Sequence, residues 1–331
     1  MKNVKDLEVK GLKVLVRCDF NVPFVDGKIS DDNRIQAALP TIKELLAKGA
    51  KVILMSHLGK IDYKKTEEEI AKAKKKNNMA PVAERLGELL GQEVKFCPET
   101  RGEALKAAVD GLKEGEVLVV QNTRYEKGES KCNEELSKEW ASLCDAFVMD
   151  AFGSAHRAHA STYGVPAELK KEGKQVAVGF LVEKEVVALK RAVEVKAEDR
   201  PYVAILGGFK VSDKIKVINS LVSKCDKVII GGAMAYTFFK ALGKGIGNSP
   251  CEEDQLDYAK KMYETGKVVL PVDVVIANDF ANPTDIKVVD VDNIPEGYEG
   301  MDIGPKTCAL YEEIIHGAKT VFWNGPMGVF E

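Results

Sequence analysis

The 331-residue chain lacks the features that mark several classes of protein. No apolar run approaches the roughly 20 residues that a membrane-spanning helix needs. The first residues, MKNVKDLEVKG, are too polar for a signal peptide. The seven cysteines include no C-x-x-C pair, which argues against a zinc ribbon and against a disulfide framework. We therefore expect free thiols and a cytoplasmic protein.

The general nucleotide-binding signatures are also missing. No G-x-x-x-x-G-K-[ST] phosphate loop occurs, and no G-x-G-x-x-G follows a predicted strand. The nearest approach, GKGIG at residues 243–247, has the wrong spacing. These absences count against a P-loop nucleotidase and against a nicotinamide-dependent dehydrogenase. A net charge of −3 gives no indication of nucleic acid or an anionic membrane as a partner.

Residues 201–331 contain no arginine, and all eight arginines lie in the first 200 residues. Three of the four histidines also fall in the first half of the chain. A guanidinium group can hold a phosphate or a carboxylate through two parallel hydrogen bonds. The distribution therefore predicts a first half that binds small anions.

Short apolar runs alternate with helical patterns along the whole chain. This alternation is typical of βαβ units around a buried parallel sheet. It predicts an α/β protein with two doubly wound parallel-sheet (Rossmann-like) domains. We place the domains at 1–180 and 198–331, joined by a helix over 181–197 that contains no glycine or proline. The mixed-charge segment 60–77 is expected to be a solvated surface segment.

Polar and cationic side chains follow four of the predicted strands in the first half. In open α/β sheets, ligands bind beyond the carboxyl ends of the strands. Arg34 stands in the first turn of a predicted helix, where a cation opposes the helix dipole unless an anion lies nearby. Alone, it could equally be a surface arginine. Together, these residues favour an anion site; they are Asp19, Asn21, Arg34, His57, Lys60, Arg124 and Arg157.

In the second half, the segment LGGFKVSDK (206–214) predicts a strand, a glycine turn and a helix start. Such a turn can present backbone N–H groups to phosphates. If the helix begins at Lys210, then Lys210 and Lys214 project from the same face. Further glycine-bearing strand ends follow at 231–234, 302–305 and 323–331. Glycines allow a flat ring to lie against bare backbone, which suits an adenine.

Taken in order, these segments resemble phosphoglycerate kinase. The motifs that carry the resemblance are RCDFNVP, DDNRI, SHLGK, QNTRYEKGE, DAFGSAHRAHAS, LGGFKVSDKI, IGGAMAYTF and VFWNGPMGVFE. The resemblance implies reversible transfer of the acyl phosphate of 1,3-bisphosphoglycerate to Mg-ADP, giving 3-phosphoglycerate and ATP. It also implies in-line transfer on hinge closure, in a monomer that binds neither nucleic acid nor membrane.

The resemblance assigns roles to residues that match the family motifs. Arg34 and Lys210 are implied to act on the transferring phosphoryl group. The implied triose site is formed by Asp19, Phe20, Asn21, Arg34, His57, Leu58, Gly59, Lys60, Arg124 and Arg157. The implied nucleotide site is formed by Lys210, Lys214, Gly231, Gly232, Gly304, Asn324 and Glu331.

The chain departs from the family pattern in two places. Lys60 stands where many members have arginine, so a point charge replaces a planar fork. Members also continue beyond the position of Glu331 with a GGGD-type turn, whose aspartate holds magnesium. We therefore expect no protein ligand for magnesium in this chain, an incomplete second sheet and little kinase activity from the chain alone. The alternative function is a catalytically inactive protein that binds 3-phosphoglycerate.

Overall fold

The computed structural model describes residues 2–329, and the side chains of residues 192 and 193 are left out of the description. The chain forms two compact units, with the boundary between Val187 and Ala188. This boundary lies inside the helix Phe180–Val193, which occupies most of the predicted linking helix.

The elements are numbered in chain order. The strands are β1 (Lys13–Cys18), β2 (Phe24–Val25), β3 (Lys28–Ile29), β4 (Lys51–Met55), β5 (Val94–Cys97), β6 (Val117–Val120), β7 (Ala146–Asp150), β8 (Gln175–Val178), β9 (Tyr202–Leu206), β10 (Lys227–Ile230), β11 (Val268–Val269), β12 (Asp273–Ala277), β13 (Ile286–Asp290), β14 (Glu299–Ile303) and β15 (Thr320–Asn324). The α-helices are α1 (Asn33–Ala47), α2 (Glu67–Lys76), α3 (Ala80–Leu90), α4 (Gly102–Asp110), α5 (Glu134–Ser142), α6 (Phe152–Ala155), α7 (Val165–Lys171), α8 (Phe180–Val193), α9 (Ile215–Lys224), α10 (Met234–Ala241), α11 (Leu256–Tyr263) and α12 (Pro305–His316).

The first unit is built on a six-stranded parallel sheet in the order β5-β6-β4-β1-β7-β8. Successive residues of β1 face opposite sides of the sheet, as the two-residue period of a strand requires. Val14 and Val16 pack with Ile42 of α1, whereas Leu15 packs with Trp140 of α5. Both faces are thus covered by helices, and the predicted doubly wound arrangement is confirmed for this unit.

The second unit has a four-stranded parallel sheet in the order β11-β10-β9-β15. Beside it lies a three-stranded antiparallel sheet in the order β13-β12-β14, which the sequence pattern did not predict. The apolar run 267–278 has the composition of one buried strand, but it does not form a single strand of the parallel sheet. The run is divided into β11, which belongs to the four-stranded sheet, and β12, which pairs with β13 and β14. The chain passes from one sheet to the other around Pro271.

The strand β15 lies at the edge of the four-stranded sheet, where it pairs with β9. No other strand within residues 2–329 lies on its free side. Its Trp323 side chain is 64% exposed, whereas Trp140 in the first unit is completely buried. The indole N–H of Trp140 donates a 2.7 Å hydrogen bond to the carbonyl oxygen of Thr100.

The mixed-charge segment 60–77 contains α2, which has no buried residue. Thr66 caps this helix: its hydroxyl oxygen accepts from the Glu69 N–H, and the Glu69 carboxylate accepts from the Thr66 N–H. Such a reciprocal cap lets a solvated helix form without a core-facing side. Among the described residues, no helix is both long and apolar enough to cross a membrane.

Candidate active site

The carboxyl ends of β1, β4, β6 and β7 lie at one edge of the first sheet, since these strands are parallel. Two hydrogen bonds tie the first two of these ends together. The Asn21 Oδ1 atom accepts from the Gly59 N–H at 2.8 Å, and the Ser56 Oγ atom accepts from the Phe20 N–H at 2.8 Å. The loops after β1 and β4 therefore form one connected surface.

Asn122, which the motif comparison did not place in the site, joins a third loop to this surface. Its Oδ1 atom accepts from the backbone N–H groups of Leu58 and Arg124, at 3.1 and 3.0 Å. Its Nδ2 atom donates to the carbonyl oxygens of Leu58 and Asn77, at 2.7 and 2.9 Å. The side chain is completely buried, so each of these bonds replaces one that water would otherwise make. Asn122 thus fixes the backbone that carries Arg124.

Arg34 lies in the first turn of α1, as the sequence predicted. One of its guanidinium N–H groups donates to Asp19 Oδ2 at 2.7 Å. The Arg34 side chain is 52% exposed and that of Asp19 is 16% exposed. Since a guanidinium group has five N–H donors, this ion pair leaves most of them available to a bound anion.

Arg124 and Arg157 bring two further positive charges to the same edge. Arg124 is half-buried and donates to the carbonyl oxygen of Gly59. Burial lowers the pKa of Arg124, and the neighbouring guanidinium groups of Arg157 and Arg17 lower it further. Arg157 follows α6 and is exposed to solvent. This cluster of like charges favours an anionic ligand.

His57 is 8% exposed at the end of β4. Burial lowers its pKa to about 2, and the guanidinium groups of Arg17, Arg124, Arg157 and Arg34 lower it in the same direction. The imidazole is therefore neutral at physiological pH. Its Nδ1 atom lies 3.1 Å from Arg17 Nη2.

Arg17 is a second residue that the motif comparison left out of the site. It follows the buried apolar residues Val14, Leu15 and Val16 in β1 and is itself 1% exposed. A charged residue in a buried strand requires polar partners, and this requirement was the available signal in the sequence. Its partners are Ser161, the carbonyl oxygen of Cys18 and His57.

The remaining predicted triose residues have different surroundings. The side chains of Phe20 and Leu58 are buried in the apolar core, so only their backbone lies at the edge. Gly59 has a φ of 58°, and a Cβ there would overlap the Asn77 side chain. Lys60 is exposed, and its carbonyl oxygen accepts a 3.4 Å hydrogen bond from Asn77 Nδ2.

In the second unit, the turns after β9, β10 and β15 touch through backbone atoms. The Gly207 N–H donates to the Asn324 carbonyl oxygen at 3.0 Å, and the Gly232 N–H donates to the Met327 carbonyl oxygen at 2.6 Å. A Cβ on Gly207 would overlap the carbonyl oxygen of Pro326. A Cβ on Gly232 would approach the backbone of Gly208 to 2.7 Å. Glycine is therefore required here for close contact between the turns.

The condition for a shared face of Lys210 and Lys214, a helix that begins at Lys210, is not met. Helix α9 begins at Ile215 and follows a 3₁₀ turn at Ser212–Lys214. Before the helix begins, the Val211 side chain is completely buried in the core. Lys210, the residue before it, lies outside any helix and is exposed. Lys210 and Lys214 therefore do not share a helix face.

Lys214 reaches across the turns of this edge. Its Nζ atom donates to Asn324 Oδ1, and its side chain passes over Gly208, where a Cβ would lie 3.2 Å from Lys214 Cε. Burial lowers the pKa of Lys214. Gly231 also lies at this edge, where a Cβ would overlap the side chain of Met327.

Gly304 and Glu331 complete the predicted nucleotide set. Gly304 precedes α12, and its N–H donates to the carbonyl oxygen of Asp273 at 2.9 Å. A Cβ on Gly304 would overlap the Asp273 carboxylate, which accepts from the Thr307 N–H at 2.7 Å. Glu331 lies outside the described residues.

Gly207→Ala is expected to lower the free energy of unfolding of the second unit by about 1–3 kcal/mol, the usual cost of overpacking. The added methyl group meets backbone atoms of residue 326, which can yield only by separating the turns. Nucleotide affinity should fall with it. The measurements are urea unfolding and titration with ATP.

Gly317→Ala is the matched control, because Gly317 has a φ of −75° and a Cβ there makes only ordinary contacts of 3.6 Å. Equal effects of the two substitutions would show that the contact between the turns is not the cause.

Within residues 2–329, no group of three or more His, Cys, Asp or Glu side chains could hold a metal ion.

The fold and these two sheet edges define a class of two-unit α/β proteins, with cationic side chains at one edge and glycine turns at the other. The sequence profile of the phosphoglycerate kinase family matches residues 4–331. The phosphoglycerate kinase of Streptococcus equi subsp. zooepidemicus is 55% identical over 99% of this chain and 81% of its own length. That of Fusobacterium nucleatum is 56% identical over 100% of this chain and 82% of its own length.

Solved structures agree with this relationship. Phosphoglycerate kinase from Coxiella burnetii matches with a TM-score of 0.83 and 39% identity, over 99% of this chain and 80% of that one. The enzyme from Pyrococcus horikoshii matches with a TM-score of 0.79 and 30% identity, over 100% and 82% of the two chains. This chain belongs to the phosphoglycerate kinase family, which consists of glycolytic kinases with a carboxyl group as acceptor and a magnesium-bound nucleotide as partner.

Proposed function

We propose that the carboxyl edge of the first sheet binds 3-phosphoglycerate and 1,3-bisphosphoglycerate. The observation that carries the proposal is the presence of Arg17, Arg34, Arg124 and Arg157 around one imidazole, that of His57. An edge with four guanidinium groups suits a ligand that carries both a phosphate and a carboxylate. Asp19, Asn21 and the backbone of Gly59 hold the loops in which these cations lie.

We further propose that the carboxyl edge of the second sheet binds ADP and ATP. Lys214 lies over the glycine turns, where it can contact phosphate oxygens, and exposed Lys210 can reach the transferring phosphoryl group. Gly231, Gly232, Gly304 and Asn324 belong to the turns that would face the nucleoside. The nucleotide enters with its own magnesium ion, which neutralises phosphate charge when bound.

In the proposed reaction, the bond between the carboxyl oxygen and phosphorus of the acyl phosphate breaks. A bond forms between that phosphorus and a β-phosphate oxygen of ADP, which gives ATP and the free carboxylate of 3-phosphoglycerate. No general base is needed, because both oxygens that exchange the phosphoryl group are already ionised at pH 7. The residues of the chain then act by alignment and by charge stabilisation, with Arg34 and Lys210 on the moving group.

The test is calorimetric titration of the 331-residue chain with 3-phosphoglycerate. We expect saturable binding that weakens as salt is added, because the contacts are between opposite charges. Glycerate, which lacks the phosphate, is the matched control ligand and should bind much more weakly. Equal binding of the two compounds, or no saturable heat with 3-phosphoglycerate, would contradict the proposed site.

A further inference from the structure

We propose that Glu129, acting through Ser161 and Arg17, fixes His57 as a neutral imidazole that offers its Nε2–H group to the bound triose. Glu129, Ser161 and Arg17 are positioning residues in this proposal, and His57 is the residue that contacts the ligand. The proposal deepens the function proposed above and rests on the assignment of this edge to a phosphorylated carboxylic acid.

The first step concerns the tautomer of His57. Arg17 Nη2 lies 3.1 Å from His57 Nδ1, and a guanidinium group can only donate in a hydrogen bond. Nδ1 must therefore accept and cannot carry a proton. A neutral imidazole then has its single proton on Nε2. In the described part of the chain Nε2 has no hydrogen-bond partner, so this N–H group is the one left for a ligand.

The second step concerns the charge of the ring. The charged groups that act on it are guanidinium groups from four different parts of the fold: Arg17 of β1, Arg34 of α1, Arg124 of the turn after β6 and Arg157 after α6. Each of them opposes protonation, and burial acts in the same direction. The carboxylates of Asp19 and Glu129 act on Arg17. His57 therefore stays neutral throughout the physiological range, and it recognises an anion by hydrogen bonding and not by charge.

The third step concerns what holds Arg17. The Ser161 Oγ atom accepts from Arg17 Nε at 2.7 Å and donates to Glu129 Oε1 at 2.5 Å. The Ser161 N–H donates to Glu129 Oε2 at 3.0 Å. Glu129 is 1% exposed, and Ser161 and Arg17 are equally buried. The hydroxyl can satisfy both neighbours in only one orientation, so the network fixes the guanidinium group that faces His57.

The local backbone supports this arrangement. Ser161 belongs to a π-helical turn at Ala160–Gly164, a conformation that often marks functional sites. The turn presents both the N–H and the hydroxyl of Ser161 to one carboxylate. Burial lowers the pKa of Arg17, and the Glu129 carboxylate is the strongest group that opposes this change. Glu129 therefore helps Arg17 to remain charged at a buried position, where an unpaired cation would destabilise the folded chain.

The direct test is nuclear magnetic resonance of ¹⁵N-labelled histidine in the 331-residue chain. The chain has four histidines, so the ring signals of His57 are assigned by their loss in His57→Gln. Between pH 5.5 and 8.5 we expect the neutral Nε2–H form of His57 at every pH. His316, whose side chain is 79% exposed, is the internal reference. An imidazolium or an Nδ1–H form of His57 in the unsubstituted chain overturns the proposal.

Glu129→Gln should release Arg17, so that the neutral His57 ring shows both the Nε2–H and the Nδ1–H tautomer within the same pH range. Binding of 3-phosphoglycerate should weaken about tenfold, the effect of one charged hydrogen bond. Glu135→Gln is the control: Glu135 is 82% exposed on α5 and its ion pair is with Arg101. A Glu129→Gln chain that is less stable but keeps the ring signals of His57 unchanged shows a purely structural network, and the proposal fails.

Two additional results distinguish this proposal from the proposed function. If Glu129→Gln does not fold, Ser161→Ala is the second variant, because it removes the hydroxyl that accepts from Arg17 Nε and donates to Glu129. It should change the ring signals in the same way, and unchanged signals overturn the proposal. The unsubstituted chain could show the expected tautomer and yet not bind 3-phosphoglycerate. That result overturns the assignment of the ligand, whereas the fixing of the His57 tautomer by Arg17 is still supported.

Discussion

Replacing Lys210 by alanine is expected to lower turnover about 10²–10³-fold, the usual loss when one preorganised donor to transition-state charge is removed. Lys210 is exposed beside the glycine turn after β9 and lies outside any helix. It is therefore free to contact the phosphoryl group as its charge redistributes during transfer. The Michaelis constant for ATP should change little, because the interaction is strongest in the transition state.

The assay uses a chimera in which the C-terminal part of the Streptococcus equi relative follows residue 331, and the unsubstituted chimera is the reference. Lys216→Ala is the matched control, since Lys216 is an exposed lysine of α9 six residues further on. Its turnover should be unchanged. A higher Michaelis constant for ATP with unchanged turnover in Lys210→Ala would make Lys210 a ground-state ligand and would contradict the proposed role.

Arg34→Ala is expected to weaken 3-phosphoglycerate binding by about 1.5–3 kcal/mol, the contribution of a hydrogen bond to a charged group. The substitution removes a donor from the ligand. It also leaves Asp19 without its 2.7 Å partner, so that a free carboxylate faces an anionic ligand. Both effects lower affinity, and neither requires a change in the fold.

Calorimetry on the 331-residue chain measures this loss directly. Arg101→Ala is the control, because Arg101 has similar exposure but binds Glu135 and Glu139 of α5. Affinity in Arg101→Ala should match that of the unsubstituted chain. Equal affinities in Arg34→Ala and the unsubstituted chain would remove Arg34 from the triose site.

The first unit could be predicted well from its sequence, because its strands are continuous apolar runs that end in polar motifs. Parallel pairing then brings the ends of β1, β4 and β7 to one edge, whatever the details of the loops. The position of Arg34 in the first turn of α1 followed from local sequence alone.

The supporting residues could not be predicted in this way. Glu129 is 112 positions from Arg17 in the chain, and its role depends on a hydrogen bond through Ser161, which lies 144 positions from Arg17. Asn122 belongs to the QNTRYEKGE motif, but its four hydrogen bonds involve loops that meet only in the folded chain. Such contacts have no period or spacing that a sequence pattern could record.

The second unit was predicted less well because local propensity and tertiary pairing disagree there. The run 267–278 has the composition of a single buried strand, yet β12 pairs with β13 and β14 in an antiparallel sheet. Likewise, the segment after Gly208 has the pattern of a helix start. Burial of Val211 in the core delays α9 to Ile215.

The two tryptophans provide a spectroscopic report on each unit separately. Trp140 is completely enclosed in the first unit, and Trp323 is largely surrounded by water on β15. Indole emission shifts to longer wavelength on hydration, so denaturation of the first unit should produce a red shift. Trp323 is already hydrated in the folded chain, so its emission wavelength should change mainly when a bound partner covers β15. Trp323→Phe leaves Trp140 as the single tryptophan, whose emission follows the unfolding of the first unit alone.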